Sequence, residues 1–392
     1  MSGGRVLLAW ELGDGHGHIS RLLPLARRLK AAGAECVFAV RDLTNAQTLL
    51  DTSGFRFVQA PYASPRSIYS GRLQIGTFGD ILETIGYNQA DRLAGLVHGW
   101  SGLFDIFRPD LVIADYAPTA LLAALGRVQS VAIGDWFTLP PSRLERFSDL
   151  RKTSARVSEN EMLEVVKTVQ RARGAPEPAH LPGILTTERD FVITLPELDI
   201  YAEHRPEPAV GPMASLPEPV YHFEAEQDFF AYLSATYAGT PKVLEAILAK
   251  GLTGTIYLRD ASETAIKEWR ARGMDIHDRP QNLKEMAQKS RVFVHHGGLG
   301  TMETAMALGR PQLCVSRHLE QAVNARLAGR QGLAVGLETG GRFSAADAAQ
   351  AFEFLMSESS FDANAARVAD QLAERGPFNA LEPIIEFCLS KL

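Results

Sequence analysis

The chain has 392 residues, 46% of them hydrophobic, enough for two ordinary domains with cores of their own. Its formal net charge is -6 and it has no long basic run, which argues against electrostatic capture of nucleic acid. The three cysteines are far apart and show no metal-ligand spacing, and no apolar run is long enough for a signal peptide or membrane helix. A cytoplasmic protein with buried thiols is therefore expected, with peripheral membrane contact and oligomeric state left open.

In chain order, Arg5 to Trp10 reads as a strand and His18 to Ala32 as an amphipathic helix with Leu22, Leu25, Ala26 and Leu29 on one face. Glu35 to Arg41, Leu111 to Ala114 and Val131 to Ile133 read as further strands. Ser142 to Arg173 is charged, lacks proline and is expected to be helical, as an insertion that shapes a cleft. Pro196 to Pro219 is proline-rich and short of apolar periodicity. A linker is placed within it at residues 204–219, between a domain of residues 1–203 and one of residues 220–375. The rhythm then restarts, with strands expected at Phe229–Leu233, Thr255–Leu258, Met274–His277, Val292–His295 and Gln312–Val315. This alternation predicts an α/β fold of two Rossmann-like, doubly wound domains, which bind ligands at the carboxyl ends of their strands.

The stretch HHGGLGTMETAMALGRP, from His295 to Pro311, carries the strongest chemical signal. An apolar strand precedes its glycines and a helix-like run, Thr301 to Leu308, follows them. Free backbone N–H groups and the positive end of a helix dipole meet an anion at such a junction. Gly297, Gly298 and Gly300 let backbone approach a ligand, Thr301 can cap the helix or offer its hydroxyl, and His296 can donate an N–H to a phosphate oxygen. Together they would hold a diphosphate without a metal, and the chain contains no DxD motif. Further on, Glu320 and Gln321 open another helix. A carboxylate beside an amide suits sugar hydroxyls, since one accepts while the other also donates.

The order HGGxGT, GxP, EQxxNA, preceded by Pro280-Gln281, resembles the donor-binding motif of the GT-B-fold, family-one glycosyltransferases, from about Arg279 to Gly332. These include plant UDP-glycosyltransferases and bacterial macrolide and glycopeptide antibiotic glycosyltransferases. The resemblance implies that His296, Gly298, Gly300 and Thr301 cradle the diphosphate, with Thr236 adding a hydroxyl. It implies that Gln281 holds the base and that Glu320 and Gln321 hold the sugar. Many relatives have Trp before the PQ pair. Here Asp278-Arg279 stands there, and the Arg279 guanidinium would stack instead. The position of the ribose-gripping Glu of the plant enzymes is Thr304, with Glu303 one residue early.

Glu11-Leu-Gly-Asp-Gly-His-Gly-His18 resembles the family's GHGHxxP loop, with the proline displaced. The resemblance makes His18 the general base and Asp115 its partner, with His16 as the rival base. A His suits this work because its ordinary pKa lies near neutrality. Trp136, Phe137, Tyr62, Tyr69 and Tyr87 are unranked candidates for acceptor contact, and Tyr237 lies beside Thr236. The implied reaction is a metal-independent, cofactor-free transfer of a sugar from a UDP- or TDP-sugar to a hydroxyl of a small-molecule acceptor. It proceeds with inversion, and the last helix, residues 376–392, crosses back to the N-terminal domain. The alternatives are a sugar-nucleotide epimerase or hydrolase of the same fold, and a non-catalytic sugar-nucleotide-binding partner subunit. A lipid-linked N-acetylglucosamine transferase is a related possibility.

Overall fold

Long apolar runs flanked by polar turns make the strands of this protein, because parallel strands covered by helices on both faces bury nearly every residue. β1 (Arg5–Trp10), β2 (Glu35–Val40) and β4 (Leu111–Asp115) show this pattern, as does β5 (Gln129–Gly134). β3 (Arg56–Gln59) and β6 (Arg189–Val192) are shorter and less buried, and they form the edges. The computed structural model describes residues 3–63, 75–151, 158–220 and 226–392. Within it the chain forms two units, Met1–Met213 with Asn379–Leu392, and Ala214–Phe378.

Among the described residues the first unit has one six-stranded parallel sheet in the order β3-β2-β1-β4-β5-β6. α1 (Gly17–Ala31), α2 (Leu43–Asp51), α3 (Phe78–Ile85), α4 (Ala90–Phe107), α5 (Pro118–Ala124) and α6 (Glu159–Ala172) flank it. Of the charged stretch expected to be helical from Ser142, residues 142–151 are turns and bends, and the described helix is α6, starting at Glu159. Ser158 and Glu161 form a capping box that sets this start. The proline-rich segment stays with the first unit as far as Met213: Val210 N–H donates to Val192 O at 2.8 Å, and Val210 and Met213 pack on its core.

The second unit repeats the plan in the order β12-β11-β10-β7-β8-β9. Its strands are β7 (Gln227–Ser234), β8 (Gly254–Arg259), β9 (Asp275–His277), β10 (Ser290–His295), β11 (Gln312–Cys314) and β12 (Ala334–Gly336). Its helices are α7 (Thr240–Lys250), α8 (Glu263–Ala271), α9 (Leu283–Lys289), α10 (Leu299–Ala307), α11 (Leu319–Arg330), α12 (Ala345–Ser357) and α13 (Ser360–Glu374). The chain then returns to the first unit as α14 (Leu381–Ser390). There Ile384, Ile385 and Cys388 enter the core beside Ile19, Leu22 and Leu29. All three cysteines are buried free thiols. No described helix is long and apolar enough to cross a membrane.

Candidate active site

In the first unit β1 ends in a loop whose Gly13 and Gly15 have positive φ, and α1 starts just beyond. This puts His18 in the first turn of α1, at the carboxyl edge of the sheet. Asp115 ends β4, the strand next to β1, and pairs in register with Trp10. A sequence separation of 97 positions is thus closed by one strand spacing. His18 Nδ1 lies 3.0 Å from Asp115 Oδ1, with both side chains buried. A neutral imidazole paired in this way donates from Nδ1, which leaves Nε2 as the acceptor. Trp10 stacks on the imidazole, with centroids 5.3 Å apart and planes 21° off parallel. A Cβ on Gly13 would stand 2.3 Å from Nε2, so only glycine leaves that nitrogen room.

Arg21, one helical turn after His18, brings Nε to 3.6 Å from Asp115 Oδ2 and Nη1 to 3.5 Å from Asp135 Oδ2. Burial opposes the ionisation of Asp115, yet Arg21 and His18 together hold its pKa below the ordinary carboxylate value. His16 is exposed at the N-cap, with no side-chain capping bond. Trp136 is fully buried as packing, and Tyr87 is buried with its hydroxyl 3.3 Å from Thr119 Oγ1. Phe137 is half-buried beside Tyr116. Tyr62 is exposed under the Arg41 guanidinium. Tyr69 lies outside the described residues.

In the second unit β10 ends at His295 and α10 begins at Leu299, capped by Gly298 in an extended conformation. Gly297 has φ +85°, and a Cβ there would lie 2.9 Å from Gln321 O, so the glycine turn sits directly on the first turn of α11. Asn324 Nδ2 donates to Gly297 O at 3.0 Å and locks this approach. Gly298 and Gly300 face open space, and Thr301 beside them is half-buried.

His296 differs from the sequence expectation of a free N–H. Its Nδ1 donates to Val315 O at 2.8 Å and its Nε2 accepts Ser234 N–H at 2.8 Å. The ring therefore ties the ends of β7 and β11 across β10. Burial lowers its pKa to about 4, with Arg317 and Arg259 adding repulsion, so it is neutral at pH 7. Those two arginines, at the same sheet edge, were not singled out in the sequence. Their signal was only that each closes or follows a strand. His295 is likewise spent internally: its Nε2 lies 2.8 Å from Gln312 Oε1, and its Nδ1 accepts Gly297 N–H at 2.9 Å.

Thr236 is exposed, its Oγ1 2.9 Å from Ser234 Oγ. Tyr237 donates its hydroxyl to Ser316 O at 2.8 Å. Gln321 and Glu320 are half-buried at the start of α11, and Gln321 Oε1 accepts Arg317 N–H at 2.9 Å. Arg279 is exposed, and Gln281 Nε2 donates to its carbonyl at 2.9 Å. Glu303 is buried inside α10, and Thr304 Oγ1 bonds back to Gly300 O at 2.7 Å. Among the described residues no three His, Cys, Asp or Glu side chains are grouped to hold a metal ion.

Residues 280–386 match the family model of the erythromycin biosynthesis protein CIII-like C-terminal domain. No curated protein matches the chain in sequence. Solved structures match it over nearly its whole length. The calicheamicin glycosyltransferase CalG4 has TM-score 0.72 and 16% identity, covering 100% of this chain and 99% of that one. The glycosyltransferase VinC in complex with dTDP has TM-score 0.64 and 17% identity, covering 99% and 100%. The spinosyn rhamnosyltransferase SpnG complexed with spinosyn aglycone has TM-score 0.62 and 18% identity, covering 97% and 100%. Two six-stranded Rossmann-like units and a last helix that returns to the first of them give the chain the GT-B fold of these glycosyltransferases, and its residues 280–386 match the EryCIII-like C-terminal domain.

Proposed function

We propose that the protein transfers a sugar from a nucleoside-diphosphate donor to a hydroxyl of a small-molecule acceptor, with inversion at the anomeric carbon. The observation that carries this is the buried His18–Asp115 pair at the carboxyl edge of the first sheet. His18 Nε2 takes the acceptor proton as the acceptor oxygen bonds to the anomeric carbon. Asp115 holds the tautomer and stabilises the imidazolium, the division of labour seen in hydrolase dyads. The bond from the anomeric carbon to the diphosphate oxygen breaks, and its electron pair leaves with the diphosphate. The amino end of α10 and the nearby Arg317 and Arg259 meet that charge. No metal is required in this scheme. VinC was solved with dTDP and SpnG with its aglycone, and a TDP-sugar is accordingly the first donor to try, with UDP-sugars next.

Donor binding and acceptor-free hydrolysis across UDP-, TDP- and GDP-sugars test this function. One nucleotide class is expected to bind, with His18→Ala leaving binding intact and lowering turnover by about 100-fold or more. If no nucleotide sugar binds at any accessible concentration, the proposal fails. Binding without turnover in the wild type, even with acceptors supplied, would favour the partner-subunit alternative.

A further inference from the structure

We infer that Glu11 is a positioning residue for the His18–Asp115 pair, tethering from inside the core the turn that carries Asp115. This rests on His18 being the base. Glu11 is fully buried, although it follows β1 directly and opens the glycine-rich loop. Its Oε2 accepts Thr119 N–H at 2.8 Å, at the amino end of α5. That is where a carboxylate complements both a free N–H and the helix dipole. Its Oε1 has no hydrogen-bond partner.

Three consecutive residues of the β1 exit thus grip the β4 exit. Trp10 pairs in register with Asp115, Leu12 N–H donates to Tyr116 O at 3.0 Å, and Glu11 holds Thr119. Tyr116 between them has φ +51°, a left-handed conformation that a non-glycine residue holds only with outside support. The same exit also shapes the imidazole side, through the Trp10 stack and the bare Cα of Gly13. Glu11 therefore acts on the proton-transfer pair without touching it or a substrate.

The groups facing Glu11 are the α5 amides of Thr119 and Ala120, Tyr87 between α3 and α4, and Arg41 at the end of β2. Burial raises its pKa to about 7, against the hydrogen bonds of Thr119 and the pull of Arg41.

The test reads the His18 ring by ¹⁵N–¹H spectroscopy in the unliganded full chain, beside hydrolysis of TDP-glucose. In Glu11→Ala the Nδ1–H resonance should shift or be lost to exchange, and hydrolysis should fall by about tenfold to 100-fold at unchanged KM. Glu11→Gln keeps an accepting oxygen and should restore both. A wild-type ring signature in folded Glu11→Ala would overturn the inference. Should that variant fail to fold, Glu11→Asp withdraws the carboxylate by one methylene and is read the same way. If His18→Ala leaves hydrolysis unchanged, the base assignment is what has failed, and the ring spectra still decide the role of Glu11.

Discussion

His295 and His296 show how much a residue's chemistry depends on what faces it. Adjacent in sequence, both spend their ring nitrogens inside the second unit, against Gln312, Gly297, Val315 and Ser234. Burial first, then the neighbouring His296, lowers the pKa of His295 from 6.5 to about 4, while its bond to Gln312 works the other way. The unfolded chain therefore binds a proton more readily than the folded one. Stability from this residue is fully present above pH 6.5 and is lost as pH falls through 4. At pH 4.5 the loss is about 2–3 kcal/mol. Urea unfolding at pH 7 and pH 4.5 should show the second unit losing that much more in the wild type than in His295→Gln. Equal losses would mean that the folded His295 ring takes up a proton as readily as the unfolded one, so that burial does not set its protonation. The HHGG motif marked this spot in the sequence, but not the engagement of its rings. The partners of His296 stand 62 and 19 residues away, on strands whose ends meet only in the folded sheet. Asp115 was singled out through resemblance, whereas Arg21 was not singled out, its only sign being its place three residues beyond His18 on a helix. Glu11 gave a weaker sign, a charge closing an apolar run.

At the scale of elements, the strand-to-helix junction of β10 and α10 separates a glycine needed by the fold from glycines that leave space beside the turn. Gly297 requires its positive φ and its bare Cα against Gln321 O, whereas Gly298 and Gly300 face open space in ordinary conformations. Gly297→Ala should therefore cost about 1–2 kcal/mol or more in unfolding free energy, since strain and a backbone clash add. Gly300→Ala sits in the first turn of α10 and should leave stability equal or raise it by about 0.5–1 kcal/mol. Both Gly298→Ala and Gly300→Ala should weaken donor binding if the diphosphate sits at this turn as proposed, since each places a methyl group in that open space. Calorimetric donor affinity equal to wild type in both variants would remove the glycine turn from the donor site. The same junctions explain what the sequence revealed about the fold. Central strands such as β1, β4 and β10 read clearly, because burial on both faces demands unbroken apolar runs. The edge strands β3 and β6 are four residues long and partly polar, and β12 is only three residues long, so none gave such a run. Residues 142–151 suggested helix by composition, yet they run as turns and bends, since composition without apolar residues at helical spacing along the stretch does not hold a helix.

For the whole molecule, the first unit is discontinuous: the chain leaves it at Met213 and returns at Asn379. Its core is closed by α14, whose apolar face lies against α1 and the sheet edge, with Phe387 edge-on to Phe191 at 5.8 Å. Glu382 and Arg28 pair through two bonds at 2.5 and 3.0 Å on the exposed side. Exposed pairs of this kind add little, whereas buried aliphatic side chains add much. The helix had no visible partner in the sequence, because that partner is α1, more than 350 residues earlier. Ile384→Ala removes a fully buried side chain from this contact and should cost about 2–5 kcal/mol. Glu382→Ala should leave the unfolding transition of the first unit where it is. Since α1 also carries His18, loosening α14 should reach the proposed base. In Ile384→Ala, donor hydrolysis should fall in step with the population of folded first unit as urea is added, while nucleotide binding by the second unit persists to higher urea. Loss of both together, at one midpoint, would show that the two units unfold as one and that α14 supports the whole chain rather than the first unit alone.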